Sequence, residues 1–200
     1  GAQVLDLEAL AMHRGSVLGP LPGQPQPSQK AFETALWAAL RAFDPARPVW
    51  AESESRTIGR LRVPEELLVR LRGSSCVSVE MPLAARVDLL MEDYGHFVRD
   101  SESFCERLDA LAELRGKETV QRWQALARQG RHAEVVRELL EQHYDPIYLR
   151  SMGRNYAGFA DALPLPIANG GIGPLAQAAA RMHALALHAT SPASATAGTP

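Results

Sequence analysis

The segment that most constrains the fold is residues 47–59, where a short apolar run ends abruptly in charged and hydroxyl side chains. Val49-Trp50-Ala51 is typical of a buried strand, and Glu52-Ser53-Glu54-Ser55-Arg56 follows it directly. In open parallel α/β sheets, ligands bind in the crevice beyond the carboxyl ends of the strands. The cluster therefore fits a functional site, but taken alone it fits a solvated polar turn equally well.

The composition is that of an ordinary globular protein. The 200 residues include 46% hydrophobic side chains, enough for a core, and the net charge of −2 provides no global field for binding nucleic acid. The length suits one domain, or one domain with a helical appendage. Lys30 and Lys117 are the only lysines among 21 lysine and arginine residues. Arginine suits bidentate phosphate recognition, although a coding bias explains the excess more simply.

Several sequence patterns that are missing bear on the cellular compartment and on the ends of the chain. No apolar run approaches the ~20 residues of a membrane span, and the start shows no signal-peptide pattern. Cys76 and Cys105 lie far apart and outside any C-x-x-C spacing, so the sequence predicts neither a disulfide framework nor a metal site. We therefore expect a cytoplasmic protein without membrane association. Because the chain opens on Gly1 and runs directly into a strand pattern, we expect a fragment of a longer protein.

Strand and helix patterns over residues 1–100 predict an α/β domain. Ser28 fits the N-cap of a helix over residues 29–42, and Pro64 fits the start of a helix over residues 65–72. The predicted strands cover residues 4–7, 49–51 and 76–80.

The strand signal fades after residue 100, and residues 101–188 predict a mainly helical subdomain. One further strand is expected at residues 156–159. Residues 189–200 are rich in Ser, Ala, Thr and Pro and predict a disordered tail. The predicted helices cover residues 102–114, 118–128, 132–143 and 174–187.

Several side chains outside the central segment are candidates for binding anions or RNA. His13-Arg14-Gly15-Ser16 offers an imidazole, a guanidinium, a hydroxyl and a glycine that lets backbone N–H groups approach phosphate, although such a tetrapeptide is more often a simple turn. Arg86 lies off the apolar stripe of its helix and is interpreted as solvated, or else as directed over the strand ends. Tyr144 and Tyr148 flank an Asp-Pro turn, where they either pack the helices or stack on RNA bases.

Four segments occur in the order and approximate spacing of one known family across residues 3–150. They are Val4-Leu5-Asp6-Leu7-Glu8 with His13-Arg14-Gly15-Ser16 and Gly19, Gln26-Pro27-Ser28-Gln29 with Phe32-Glu33, Val49 to Arg56 with Ile58-Gly59, and Tyr144-Asp145-Pro146-Ile147-Tyr148. Together they resemble the bacterial tRNA 2-selenouridine synthases. Each segment is modest alone, but four in register are specific.

The resemblance implies a protein of two parts, a rhodanese domain with a catalytic cysteine followed by a P-loop NTPase-like domain. It implies geranylation of the sulfur of wobble 2-thiouridine from geranyl diphosphate, then replacement of the geranylthio group with selenium from selenophosphate. This sequence contains neither a rhodanese domain nor a G-x-x-x-x-G-K-[ST] loop. We therefore expect a partial P-loop NTPase-like parallel sheet with flanking helices, followed by a helical subdomain, and no selenation by this fragment alone.

The resemblance also implies roles for the charged residues. Arg14 and Arg56 are assigned to phosphate or diphosphate binding. Glu52, Glu54 and His13 are predicted to be catalytic, with Glu52 and Glu54 expected to hold Mg²⁺ with the absent loop or to orient Arg56. His13 is expected to transfer a proton or to contact tRNA. The other residues predicted to bind phosphate or tRNA are Gly15, Ser16, Gln29, Ser55, Arg86, Tyr144 and Tyr148.

The expected partners are the anticodon region of tRNA and an enzyme that supplies selenophosphate. Two alternatives stay open. The chain could be a non-catalytic tRNA-binding scaffold, with all covalent chemistry in the absent domain, or a small P-loop kinase acting on a metabolite. The order of the motifs fits the synthases better than it fits a kinase.

Overall fold

The computed structural model describes residues 2–16, 18–20, 23–53 and 55–189, in which short strands are flanked by helices. The strands are β1 (Gln3–Leu5), β2 (Val49–Ala51), β3 (Thr57–Ile58), β4 (Leu61–Arg62), β5 (Ser75–Glu80) and β6 (Gly158–Pro166). The helices of the first half are α1 (Leu7–Ala11), α2 (Gln29–Ala42), α3 (Glu65–Arg72), α4 (Leu83–Asp93) and α5 (Gly95–Arg99). Those of the second half are α6 (Ser101–Asp109), α7 (Ala112–Arg115), α8 (Lys117–Arg128), α9 (His132–Leu139), a π-helix (Leu140–Tyr144), α10 (Asp145–Asn155) and α11 (Ile172–Ala189).

Strands pair in parallel at two places. β1 pairs with β2, with Val4 opposite Trp50, and β5 pairs with β6, with Val79 opposite Leu165. β3 and β4 form a short antiparallel hairpin. Short parallel sheets flanked by helices confirm the predicted α/β class and are consistent with a partial P-loop-like fold.

The first strand is shorter than predicted. β1 ends at Leu5, and Asp6 does not lie within the strand but forms the N-cap of α1, where its Oδ1 accepts a hydrogen bond from the Ala9 N–H at 2.7 Å. A carboxylate that follows a strand can accept hydrogen bonds from the first free N–H groups of the next helix, and Asp6 does so from an exposed position. The predicted burial of Asp6 in a strand is therefore wrong.

The predicted starts of α2 and α3 are confirmed. Ser28 Oγ accepts from the Ala31 N–H at 3.2 Å, and Pro64 directly precedes α3, which needs no N–H at that position. Both helices pack on β1, α1 and the β3–β4 hairpin. The core that they form consists of Leu5, Leu7, Ala11, Phe32, Leu36, Ile58, Leu61, Val63 and Leu68.

The second half departs from the sequence-based expectations at one helix, one turn and one strand. The helix predicted over residues 102–114 is divided into α6 and α7. The Asp-Pro turn at residues 145–146 is absent, because the chain passes through the π-helix directly into α10, and Pro146 lies in the first turn of α10, where a missing N–H costs little. The last strand begins at Gly158 and extends to Pro166, beyond the predicted residues 156–159.

α11 is the final described element, and it packs through Ala178 and Met182 on Leu165 and Ile167 of the β6 region. None of the described helices combines the length and the apolarity that a membrane span requires. The predicted tail lies, from residue 190 onward, outside the described residues.

Candidate functional site

His13 is the most buried of the predicted site residues and is held tightly by its surroundings. It is 6% exposed, and its Nδ1 accepts a hydrogen bond from the Gly15 N–H at 3.1 Å. A methyl group at Gly19 would approach His13 Cε1 to 2.7 Å, and one at Gly59 would approach His13 Cδ2 to 2.9 Å. Burial, and then the positive charge of Arg107, lower the pKa of His13. The neutral imidazole therefore fixes the loop after α1 in place.

The lowered pKa of His13 predicts a pH dependence of folding stability. The unfolded chain takes up the proton first, so the stability that neutral His13 contributes is complete above about pH 6.5 and is lost as the pH falls below that value. His13→Asn keeps an acceptor for the Gly15 N–H but does not titrate. We expect its free energy of unfolding, measured by urea denaturation, to fall less steeply on acidification than that of the unsubstituted chain. Identical slopes would contradict this role.

The loop directs Arg14 toward the end of α4. The Arg14 N–H donates to Gly19 O at 3.0 Å and the Gly19 N–H to Ser16 O at 2.9 Å, which closes the loop. The Arg14 guanidinium carbon lies 4.8 Å from the ring centroid of Tyr94, and Nη1 lies 3.4 Å from Asp93 Oδ2. The Arg14 side chain is 33% exposed. This long contact with Asp93 leaves a guanidinium that can turn toward an anion.

A cavity of about 280 Å³ lies between this loop and the helices that follow β5. Most of its wall is apolar, with Leu90 from α4, Phe97 from α5 and Leu140 from the π-helix among the lining residues. Four residues predicted separately as phosphate- or tRNA-binding come together here. The polar side chains of the wall are Arg14, Ser16, Arg86, His132 and Tyr144.

Arg86 is not the solvated arginine that its helix position suggested. Its Nη1 and Nη2 donate to Asp145 Oδ2 and Oδ1 at 2.8 and 2.6 Å, and both side chains are about one-third exposed. The hydrogen bond to Asp145 raises the pKa of Arg86, against the opposing effect of burial. This bidentate pair joins α4 to the start of α10 and fixes a guanidinium in the cavity wall.

Tyr144 lies at the end of the π-helix, immediately before Asp145. Its hydroxyl is buried and has no hydrogen-bond partner among the described residues. Burial raises the pKa of Tyr144 to about 12, although the side chain of Ser16 and the backbone of Leu18 are near enough to favour the phenolate slightly. The effect of burial is the largest, so the hydroxyl stays protonated.

The carboxylates beyond β1 and β2 both serve the N-terminus of α1. Glu52 Oε1 accepts a hydrogen bond from the Glu8 N–H at 2.8 Å, and Asp6 Oδ1 accepts from the Ala9 N–H at 2.7 Å. The parallel pairing of β1 with β2 brings the two carboxylates to one edge. Negative charge at a helix N-terminus is stabilising. The described geometry therefore gives Glu52 a structural task, and its predicted catalytic role is not tested by it.

The contact of Glu52 with α1 makes a prediction that separates its structural role from a catalytic one. Glu52→Ala removes the acceptor of the Glu8 N–H and is expected to lower the free energy of unfolding by about 1–2 kcal/mol. Glu52→Gln keeps an oxygen in the same position and is expected to retain most of that stability. Urea denaturation of both variants measures the difference. Equal losses in the two variants would contradict a cap that depends on the oxygen.

The predicted magnesium site at Glu52 finds no support in the surrounding side chains. No group of three His, Cys, Asp or Glu side chains suited to a metal ion occurs in the part of the chain that the structure describes. Glu54 lies outside the described residues. A single carboxylate already bonded to a backbone N–H does not complete a magnesium site by itself, so we derive no step through the metal. The Mg²⁺ assignment stays a prediction.

A surface apart from the cavity wall includes three described residues that follow Glu52, namely Ser53, Ser55 and Arg56. Ser53 Oγ and Tyr148 Oη share a hydrogen bond at 2.9 Å, which brings α10 to the end of β2. The Ser55 hydroxyl bonds to the backbone of Thr57. Arg56 pairs with Glu65 at 3.3 Å through an exposed contact of the kind that contributes little stability.

Gln29 is used to hold the β3–β4 hairpin on α2. Its Nε2 donates to Arg62 O and its Oε1 accepts from the Arg62 N–H, each at 2.9 Å, and Nε2 also lies 2.9 Å from Glu33 Oε1. Because its amide nitrogen and oxygen both bond to the backbone of Arg62, the Gln29 side chain has a structural role in holding the hairpin on α2. The prediction that Gln29 binds phosphate or tRNA is not tested by these contacts.

Sequence reasoning missed most of the cavity wall. Tyr94 was not singled out as a site residue, although its ring lies under the Arg14 guanidinium. His132 was placed only inside a helix pattern, although its Nε2 lies 2.9 Å from Ser101 Oγ and it lines the cavity. Asp145 stood within a motif already singled out, so it could have been matched with Arg86. Tyr94 and His132 lacked any local signal, because an apolar stripe on a helix indicates core packing in general and not a site.

The comparisons with known proteins agree on one family. The family described as "tRNA 2-selenouridine synthase AAA domain" matches residues 2–122. A curated tRNA 2-selenouridine synthase from Shewanella loihica is 34% identical and covers 76% of this chain and 48% of its own length. The one from Bdellovibrio bacteriovorus is 30% identical, with coverages of 78% and 51%. The one from Nitrosomonas europaea is 45% identical, with coverages of 46% and 24%.

No solved structure matches the chain. The chain spans about half the length, or less, of the curated relatives compared here. The family match includes the loop that carries Arg14 and the helix that carries Arg86, and it extends over more than half of the sequence. The predicted resemblance is confirmed, and the chain belongs to the tRNA 2-selenouridine synthase family.

Proposed function

We propose that this chain binds geranyl diphosphate in the 280 Å³ cavity and provides the geranylation site of a tRNA 2-selenouridine synthase. The supporting observation is that an apolar wall and two guanidinium groups, those of Arg14 and Arg86, occur in one cavity. Geranyl diphosphate combines an apolar ten-carbon chain with a highly charged head. The volume lies near the lower end of the range of about 300–1,000 Å³ that ligand pockets occupy, which suits a small ligand.

The residues of the wall would act on the two ends of this ligand differently. Apolar side chains such as Leu90, Phe97 and Leu140 would bury the geranyl chain and exclude water. The sulfur of 2-thiouridine then forms a bond to the terminal carbon of the chain while the bond from that carbon to oxygen breaks. Diphosphate leaves with the electron pair of that bond, and the base releases a proton. Arg14 and Arg86 would stabilise the negative charge that grows on the departing diphosphate.

The tRNA would approach from the surface beyond β2. Tyr148 is 50% exposed there and Arg56 is 63% exposed, so a ring for base stacking and a guanidinium for phosphate are both accessible. The anticodon region, with the wobble base, is the proposed substrate, and the cytoplasm the expected compartment. We propose that selenium from selenophosphate, delivered by a supplying enzyme, replaces the geranylthio group in the full-length protein, and we assign no residue of this chain to that step.

The proposal is tested by measuring two properties of the unsubstituted chain. Isothermal titration calorimetry measures saturable binding of geranyl diphosphate, and mass spectrometry of nucleosides measures S-geranylation after 2-thiouridine tRNA is added. We expect both. The alternative of a non-catalytic tRNA-binding scaffold is favoured if the chain binds tRNA but neither binds nor transfers the geranyl group.

A further inference from the structure

Two residues of the cavity wall each carry a buried side-chain polar atom that lacks a hydrogen-bond partner among the described residues. These atoms are Tyr144 Oη and His132 Nδ1, and the third such atom in the described chain is Arg72 Nε, which does not line the cavity. Folding normally pairs buried polar groups, because leaving one unpaired costs free energy. Their occurrence in one mostly apolar wall indicates a ligand that brings hydrogen-bonding atoms of its own.

Tyr144 is surrounded by the groups that an anion would use. Asp145, the next residue, holds Arg86 by a bidentate pair, and Arg14 and Ser16 line the same cavity. The pKa of Tyr144, raised to about 12 by burial, keeps the phenol protonated. The hydroxyl is therefore a neutral donor on a residue that shares the cavity wall with two guanidiniums. The π-helix that ends at Tyr144 is a local irregularity of the kind often found at functional sites.

We propose that Tyr144 is a specificity-determining residue of this cavity, whose hydroxyl donates a hydrogen bond to an oxygen of the anionic head of a ligand with an apolar chain. The inference rests on the proposed function and deepens it. A hydrocarbon or a neutral alcohol of the same chain length lacks the acceptor oxygens of a diphosphate. Tyr144 therefore selects for the charged head, while the apolar wall selects for the chain.

The test compares two probes, geranyl diphosphate and geraniol, on three forms of the whole chain by calorimetry. Tyr144→Phe is expected to weaken binding of geranyl diphosphate by about tenfold or more, because a hydrogen bond to a charged acceptor is lost. Geraniol binding is expected to change by less than about twofold. Tyr156→Phe is the matched control, since Tyr156 is a buried tyrosine that does not line the cavity. It should leave both affinities unchanged.

A purely structural role for the hydroxyl predicts that Tyr144→Phe is less stable than the unsubstituted chain, whereas the proposed role predicts no loss of stability. Because the hydroxyl has no hydrogen-bond partner in the described part of the chain, Tyr144→Phe without ligand should melt at or above the temperature of the unsubstituted chain. If the unsubstituted chain binds geranyl diphosphate and Tyr144→Phe binds it equally well, the inference is overturned while the proposed function stands. Equal weakening of both probes also overturns it, because the loss then concerns cavity shape. If the unsubstituted chain binds no geranyl diphosphate, both proposals are overturned.

Discussion

Arg14→Leu is expected to weaken geranyl diphosphate binding by about 10- to 100-fold, which corresponds to a charge-assisted hydrogen bond of about 1.5–3 kcal/mol. Arg14 lies 3.4 Å from its carboxylate neighbour Asp93, so its guanidinium can turn to a diphosphate without breaking a tight pair. Leucine keeps an apolar contact with Tyr94 but removes the charge. Calorimetry at fixed ionic strength measures the effect, since salt screens such attraction.

The matched control for Arg14 is Arg128→Leu. Arg128 donates to both carboxylate oxygens of Glu102, at 2.8 and 2.9 Å, and does not line the cavity. Arg128→Leu removes the same charge from the chain and should change the affinity for geranyl diphosphate by less than about twofold. Equal affinity losses in the two variants would show that net charge, rather than a guanidinium in the cavity wall, determines binding.

Gly59→Val is expected to lower the free energy of unfolding by about 3 kcal/mol or more. Gly59 has φ +58°, and a Cβ atom there would lie 2.3 Å from Gln26 Oε1 and 2.9 Å from His13 Cδ2. Gln26 cannot move freely, because Oε1 accepts from the Arg60 N–H and Nε2 donates to Ile58 O, each at 2.9 Å. A β-branched residue would therefore combine backbone strain with broken hydrogen bonds.

Gly23→Val separates these two contributions. Gly23 also has a positive φ, +69°, but no atom would lie within 4 Å of a Cβ there. Urea denaturation of both variants should show that Gly23→Val loses only the part due to backbone strain, about 1–2 kcal/mol. Similar losses at the two positions would mean that the close approach of Gly59 to Gln26 and His13 contributes nothing.

Local sequence signals predicted the starts of α2 and α3, but they failed where contacts between residues distant in sequence determine the local structure. Ser28 and Pro64 act within one turn of their own helices, so their roles could be read from neighbouring residues. Asp6 resembled a strand residue because its apolar neighbours continue the pattern, yet it caps α1. The Asp145-Pro146 pair is typical of a turn, but the bidentate bond of Asp145 to Arg86 accompanies a continuous helical path there.

Several polar residues of the candidate site could be selected from the sequence, but the location where they meet could not be predicted. The sequence analysis selected Arg14, Arg86 and Tyr144 separately, and it centred the site on the end of β2 around Glu52. In the structure, Glu52 supports α1, and the three other residues meet across helices more than 40 positions apart. No periodicity within one helix reveals such a meeting, because it depends on how α4 packs against α9 and the π-helix.

The most direct test of a geranyl diphosphate site is a crystal structure of the chain with that ligand bound. We predict the diphosphate beside the guanidiniums of Arg14 and Arg86, within hydrogen-bond distance of Tyr144 Oη, and the geranyl chain against Leu90, Phe97 and Leu140. A diphosphate bound elsewhere, for example at the Arg56–Glu65 surface, with the cavity unchanged, would contradict the assignment.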